Sequence, residues 1–322
     1  MMPSHRLCGR AVLAAFAATM LLAGPLSAAR AKTYGFATLP PGTLNYTTAS
    51  AIAKVIEQKA GLNVLVQPTA GDNVIIPMVG RGEAAIGITN ILEVARAREG
   101  GHEPNLRLIG KIHALRTAFF VRKDSAMKTI ADMKGKRVTM GFSAMPTIST
   151  LMRAMLATGG LTGKDIVPVM VPNVVRSADD FVSGSADMFF FAFGAPKVRE
   201  VDATMGGIRA LAIDESGMLA ARKVTPYGYL TSVSPGPVFI GVDHPMKVYS
   251  FDNLLITNAD APADLIYKVI DTLVKNKADV VAVQPVLREF SAASMYVNYG
   301  MPYHRGALKY FKEHHLTPQA LP

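Results

Sequence analysis

Tyr34-Gly35-Phe36-Ala37-Thr38-Leu39-Pro40-Pro41-Gly42-Thr43-Leu44-Asn45-Tyr46 is the stretch on which the fold turns. Its first six residues read as a short apolar strand. Residues 40–45 are a loop that cannot extend it, because the prolines supply no N–H and glycine relaxes the backbone. Over residues 46–59 Ile52, Val55 and Ile56 recur on one helical face, and Gly61 stops the helix. A strand, a Pro/Gly loop and a helix make one α/β unit, and the unit repeats. Residues 63–69 are an apolar, β-branched strand, and Gly71-Asp72-Asn73 turns into a short helix. The next strand is at 84–89, a helix runs through Arg98, and 106–113 is a fourth strand. Strands separated by single helices predict a parallel sheet covered on both faces.

The alternation restarts after Lys134. Residues 137–141 form a strand, Phe142-Ser143-Ala144-Met145-Pro146 a loop, and 147–158 a helix closed by Gly159-Gly160. Further strands are expected at 166–171, 187–191 and 208–213. After a Pro/Gly-rich passage, 248–257 is strand-like and 263–275 an amphipathic helix. Two such runs in about 290 residues are enough for two lobes, each with its own core. No repeat of fixed period is visible, which argues against a solenoid.

The N-terminus specifies export. His5, Arg6 and Arg10 precede an apolar run at 11–23, and Ala29-Arg30-Ala31 supplies a small-x-small cleavage site. Residues 1–31 are therefore read as a signal peptide, with the mature chain starting near Lys32 in the periplasm. The apolar run is shorter than the about 20 residues of a membrane span. Cys8 is the only cysteine and falls before the run, so the mature chain has no disulfide, thiol nucleophile or thiolate metal ligand.

Charge narrows the partners. The chain has 34 basic and 24 acidic residues, for +10. Removing 1–31, which holds Arg6, Arg10 and Arg30 and no acid, leaves 31 against 24. A positive balance suits an acidic small molecule, a membrane surface or nucleic acid. The bases do not cluster, and the densest stretch, Lys134-Gly135-Lys136-Arg137, reads as a turn entering a strand, so nucleic acid is not expected.

Several pieces, in order, resemble a known family. They are Pro41-Gly42-Thr43-Leu44-Asn45-Tyr46, Val66-Gln67-Pro68-Thr69-Ala70-Gly71, Gly82-Glu83-Ala84-Ala85-Ile86-Gly87, Ile130-Ala131-Asp132-Met133-Lys134-Gly135-Lys136-Arg137-Val138, and Tyr303-His304-Arg305-Gly306-Ala307-Leu308-Lys309-Tyr310. Together they are similar to the TAXI-type extracytoplasmic solute-binding proteins that serve tripartite ATP-independent (TRAP) transporters. The family's first loop has a second aromatic where this chain has Asn45. The resemblance implies an α/β, two-lobed periplasmic-binding-protein (type II) clamshell with two hinge-crossing strands, at 118–123 and 249–256. Lobe one would hold 32–121 plus 252–322, and lobe two 122–251. The solute would be a small organic anion, a carboxylate or amino acid, held between the lobes. The partner would be a TRAP-type membrane permease, with the receptor acting as a monomer and needing no cofactor.

The residues themselves point to the same loops. An anion held without metal needs donors, and helix N-termini present unpaired backbone N–H groups. The loops 42–46, 71–73 and 142–147 qualify. Thr43, Asn45, Asn73, Ser143 and Thr147 would add side-chain hydrogen bonds there, although each also suits a helix cap. Asn90, at the end of the third strand, is a further candidate. Arg116 stands before the first hinge strand, where its guanidinium would either grip a carboxylate bidentately or form a surface ion pair. Tyr46, Phe191 and Phe193 would wall the pocket.

Enzyme readings fare worse. Gly141-Phe142-Ser143-Ala144-Met145 sits where a hydrolase nucleophile elbow belongs, but Met145 replaces its closing glycine, and the nominal partners Asp243 and His244 are adjacent in sequence. His304, His314 and His315 have no acidic or cysteine co-ligand at metal spacing. Neither phosphate-binding nor dinucleotide-binding glycine motifs occur. A binding protein is expected rather than an enzyme. The runner-up is the receptor of an ATP-driven importer of sulfonates or similar anions.

Overall fold

The computed structural model describes residues 32–321, so the expected leader lies outside the described residues. The chain begins β1 (Thr33–Thr38), α1 (Leu44–Ala60), β2 (Asn63–Pro68), α2 (Asp72–Gly80), β3 (Ile86–Asn90) and α3 (Ile91–Glu99). A long strand, β4 (Leu106–Arg122), leads out of this set. The next set is β5 (Arg137–Gly141), α4 (Pro146–Thr158), β6 (Val167–Val171), α5 (Val174–Val182), β7 (Phe189–Ala192), α6 (Pro196–Met205), β8 (Ile208–Ala210), α7 (Met218–Val224) and β9 (Tyr229–Val233). A second long strand, β10 (Met246–Asn258), returns to α8 (Ala263–Lys275), α9 (Lys277–Val283), α10 (Ala292–Met295) and α11 (Arg305–Glu313).

The main sheet has the order β2-β1-β3-β10-β4-β7, with β8 on β4 and β9 on β10, while β5 and β6 pair separately and in parallel. β1 is parallel to β2 and β3, but β10 is antiparallel to both β3 and β4. The expected all-parallel sheet is thus mixed. β4 still runs in the sense of β3, one place removed, and the returning strand β10 slots between them. A chain that leaves one set of strands and comes back must return antiparallel to the strand by which it left.

β4 and β10 are each shared between two sets of strands. The first part of β4 pairs with β10, and its last residues pair with β7 and β8. The start of β10 pairs with β9 and its end with β3. The residues read as a strand at 106–113, and the resemblance implies a separate hinge strand at 118–123, yet β4 is one strand of 17 residues. Burial is nearly continuous along it on both faces, so polar and apolar residues do not alternate in the way by which a half-exposed strand is read. Where the two strands meet β9, the buried Asp252 carboxylate accepts from Tyr229 Oη (2.5 Å) and Tyr299 Oη (2.6 Å) and pairs with Lys111 Nζ (2.6 Å). A buried charge needs such partners.

One apolar core lies under α1, α8 and α11, built on Ile52, Ile56, Ile266, Ile270 and Phe311. The other runs without interruption from α2 and α3 (Ile76, Leu92) to α4 and β7 (Ile148, Phe190). β7 is covered on both faces, so Phe189, Phe190 and Phe191 are all buried. Phe193 packs edge-on against Phe120 and Phe239. No helix among the described residues is long and apolar enough to cross a membrane.

Candidate functional site

Strands β1, β3 and β7 end at a small cavity of about 40 Å³. The start of α1 supplies Thr43, Leu44 and Asn45, the end of β3 supplies Asn90, and β4 supplies Leu115 and Thr117. Met145 and Ile148 of the α4 entry, Val174, Phe190, Phe191, Ala192 and Phe251 close the opposite wall. Ligands of open α/β sheets bind at the carboxyl ends of strands, which is where this cavity sits. At its present size it has room for a few waters.

Contacts across the cleft account for that size. Lys197 N donates to Gly42 O (3.1 Å), and Asn73 N donates to Ala144 O (3.3 Å). Thr147 donates to the fully buried Glu93 carboxylate through both its N (3.1 Å) and its Oγ1 (2.6 Å). Gly71 packs so closely on Ala144 that a Cβ there would overlap the Ala144 carbonyl. The two walls are drawn together.

Of the residues expected at the site, Thr43, Asn45, Asn90 and Phe191 line the cavity. Thr43 caps α1: its Oγ1 accepts from Tyr46 N (3.2 Å) and donates to Pro40 O (2.7 Å). Asn90 caps α3 through Oδ1, which accepts from Leu92 N (3.0 Å) and Glu93 N (3.2 Å). Asn45 Oδ1 accepts from Asn253 Nδ2 (2.9 Å). The other candidates are placed elsewhere. Tyr46 is half-buried outside the lining, Asn73 and Ser143 are exposed, and Phe193 belongs to the aromatic core. Thr147 is committed to Glu93.

Of the two readings open for Arg116, a carboxylate clamp in the site or an ion pair, the structure shows the ion pair. Side chains alternate across a strand, and its neighbours Leu115 and Thr117 take the cavity face. Arg116 is left on the other face, where Nη2 meets both oxygens of Glu289 (2.7 and 2.6 Å). Glu289 is 61% exposed, so the pair contributes about 1 kcal/mol or less. Arg116→Ala should therefore leave solute affinity within about twofold of wild type and lower stability by no more than about 1 kcal/mol. Calorimetric titration and a melting curve check this, and a tenfold loss of affinity would return Arg116 to the site.

Sequence reasoning singled out none of Asn253, Thr117, Glu93 and His113. The signal for Asn253 was present: a polar pair, Asp252-Asn253, interrupts an apolar strand. His113 Nδ1 donates to Ala114 O (3.0 Å), and its Nε2 lies 3.1 Å from Asn253 Nδ2. Burial pushes the His113 imidazole down to about 4, so it is neutral at physiological pH. Asp72, also fully buried, accepts from Thr89 Oγ1 (2.6 Å). Burial, and secondly the charge of Glu93, pushes its carboxyl up to about 8. His304 is a cap rather than a ligand: Nδ1 accepts from Gly306 N and Nε2 donates to Ala261 O. In the loop 141–145 the left-handed non-glycine residue is the buried Phe142, with φ of 43°, while Ser143, Asp243 and His244 are exposed.

Two sets of strands joined by two shared strands, with a cavity at the strand ends, define the fold of periplasmic substrate-binding proteins. The chain belongs to the NMT1-like family, which matches residues 36–314. Its fold is similar to a solved structure described as a periplasmic transporter, at 15% identity over 89% of this chain and 93% of that one, with a TM-score of 0.56. It is also similar to the substrate binding protein of an amino acid ABC transporter (12% identity, 80% and 100% covered, TM-score 0.51). A third likeness is to AbpA, an amino acid ABC transporter substrate-binding protein from Streptococcus pneumoniae bound to L-arginine (11% identity, 80% and 94% covered, TM-score 0.50).

Proposed function

We propose that this chain is a periplasmic solute receptor that captures a small organic anion between two lobes and delivers it to a TRAP-type permease. The lobes are residues 32–121 with 252–322, and residues 122–251, turning about β4 and β10. The carrying observation is the cavity itself: it lies at strand ends, and both of its walls are tied by hydrogen bonds that a hinge motion would break. Hinge closure around a ligand is the motion this architecture favours. The solute would be held by neutral donors, since no lysine, arginine or histidine is among the lining residues. Export would follow cleavage of 1–31, and the receptor would act as a monomer.

The TRAP assignment rests on the motifs quoted above. Two of the structural neighbours are named as proteins of amino acid ABC transporters, which supports a second reading as the receptor of an ATP-driven importer. Native mass spectrometry of protein purified from the periplasm should find one small organic acid retained, and protein that carries none and responds to none counts against the reading. Uptake of that acid by vesicles containing the cognate permease should persist without ATP. Uptake that stops when ATP is removed selects the importer instead.

A further inference from the structure

Hydrogen-bond directions behind the cavity wall all run one way. The Ala114 carbonyl can only accept, so His113 Nδ1 carries the proton and His113 Nε2 is left as an acceptor. Asn253 must then turn its NH2 toward His113. The same NH2 donates to Asn45 Oδ1. With Oδ1 held toward Asn253, the group that Asn45 has left for the cavity is its own NH2. Asn90 reaches the same state by another route: its Oδ1 is spent on two backbone N–H groups of α3, and its NH2 is left over. Among the described residues neither Nδ2 has a hydrogen-bond partner, though Asn45 and Asn90 are each only 4% exposed and both line the cavity.

We infer that Asn45 and Asn90 are a donor pair that selects a solute by an oxygen acceptor (a carbonyl, carboxylate or sulfonate oxygen), and that His113 and Asn253 are positioning residues that fix the sense of Asn45. This rests on the cavity being the solute site, and it adds what that site selects. Each NH2 has no protein partner on a side chain that is otherwise buried, so a solute that displaces water from the cavity has to supply an acceptor oxygen to each. An ammonium brings a third set of donors and meets an Asn90 oxygen that already accepts twice and an Asn45 oxygen that already accepts from Asn253. Both remaining polar linings are already engaged: Thr43 Oγ1 as above, and Thr117 Oγ1 in donating to Tyr249 O (3.0 Å). A site built to hydrogen-bond one group discriminates strongly against its opposite, because the mismatch leaves buried groups unpaired.

The test uses the full mature chain and a library of short-chain compounds in matched triplets of carboxylate, primary amide and amine, read by thermal shift and calorimetry at neutral pH. Within any triplet that binds, the carboxylate or amide should exceed the amine by roughly tenfold or more. Asn253→Asp replaces the donor by an acceptor, which draws the Asn45 NH2 toward itself and turns the Asn45 oxygen to the cavity. The acceptor-over-amine ratio should then fall by roughly tenfold. Asn45→Asp makes the same reversal at the wall, and serves if Asn253→Asp fails to melt cooperatively. A general weakening that leaves the ratio unchanged in both variants would reduce these residues to packing and overturn the inference. Wild-type protein that prefers amines also overturns it, while leaving the receptor standing. A library in which nothing binds overturns the receptor reading and the donor pair together.

Discussion

Asp72→Asn should reverse its effect on stability between acid and alkaline pH, destabilising at pH near 5 and stabilising at pH near 8. The Asp72 carboxyl is fully buried beside Glu93, and burial first, then the Glu93 charge, holds its proton up to about pH 8, against 3.8 for a free aspartate. Below the unfolded pKa it is protonated in both states, and the favourable contribution of the raised pKa is complete. As pH rises toward the folded value, the unfolded chain ionises while the native protein does not, so native stability drains away. Each pH unit in this window is worth about 1.4 kcal/mol, so about 4 kcal/mol is lost between pH 5 and 8. Asparagine has no proton to lose, and the variant escapes this slope. It carries its own penalty, because the amide N–H replaces Oδ2, which has no partner, at a cost of roughly 1–3 kcal/mol. The two effects have opposite signs and cross between the two pH values. Melting curves of both proteins across pH 5–8 should cross, with the variant ahead at the alkaline end by several degrees. Parallel curves would mean that Asp72 gives up no proton differentially and that its burial is compensated some other way.

How far the sequence reached depends on the kind of signal each element carries. The β1 loop, α1 and its Gly61 stop were legible because cap, periodicity and C-terminal glycine agree. Gly61 does sit left-handed, with φ of 64°, and its N–H closes on Glu57 O. α5 and α6 went unread although Pro172-Asn173 and Gly194-Ala195-Pro196 mark their starts, because each is only 9 or 10 residues long and too short for periodicity to stand out. The interior position of β10 could not be read either, since strand order is set by which edges remain open when the chain returns. At the site, Thr43, Asn45 and Asn90 were reached because Ser, Thr and Asn at a strand-to-helix junction are conspicuous. For Arg116 the sequence left two readings open, a clamp on the solute or an ion pair. A guanidinium near a hinge invites a carboxylate, but one step of alternation along β4 decides which face it takes, and the parity was only fixed by the pairing with β10. Glu93 was invisible for a related reason: on α3 it reads as a surface acid, and only the approach of the α4 start buries it.

Glu93→Ala should open the cleft in the absence of solute. Glu93 Oε1 accepts from Thr147 N and Oγ1 at the start of α4, and Oε2 pairs with Arg96 Nε (3.2 Å). α3 begins at Asn90 on one wall of the cavity, and α4 carries Ile148 on the other. The carboxylate therefore works as an internal anion on a helix N-terminus, where a negative charge is favoured. Hydrogen bonds to a charged acceptor contribute about 1.5–3 kcal/mol, and the alanine also leaves the α4 donors without an acceptor. Relief of Asp72 from its charged neighbour offsets part of this. A net loss of roughly 2–4 kcal/mol is expected, or about 4–8 °C in melting temperature. Stability alone would not separate a cleft fastener from an ordinary buried acid, so two further readings matter. Amide exchange in the first turn of α4 should rise, and the scattering radius of the solute-free protein should grow. Gly71→Ala approaches the same end without touching charge, because its methyl would collide with the Ala144 carbonyl across the cleft. It should give the same expansion while leaving the pH dependence of Asp72 in place. If Glu93→Ala melts lower but keeps both the α4 protection and the compact radius, the carboxylate stabilises α3 and its surroundings, and closure must be held by the backbone ties at Gly42 and Ala144 instead.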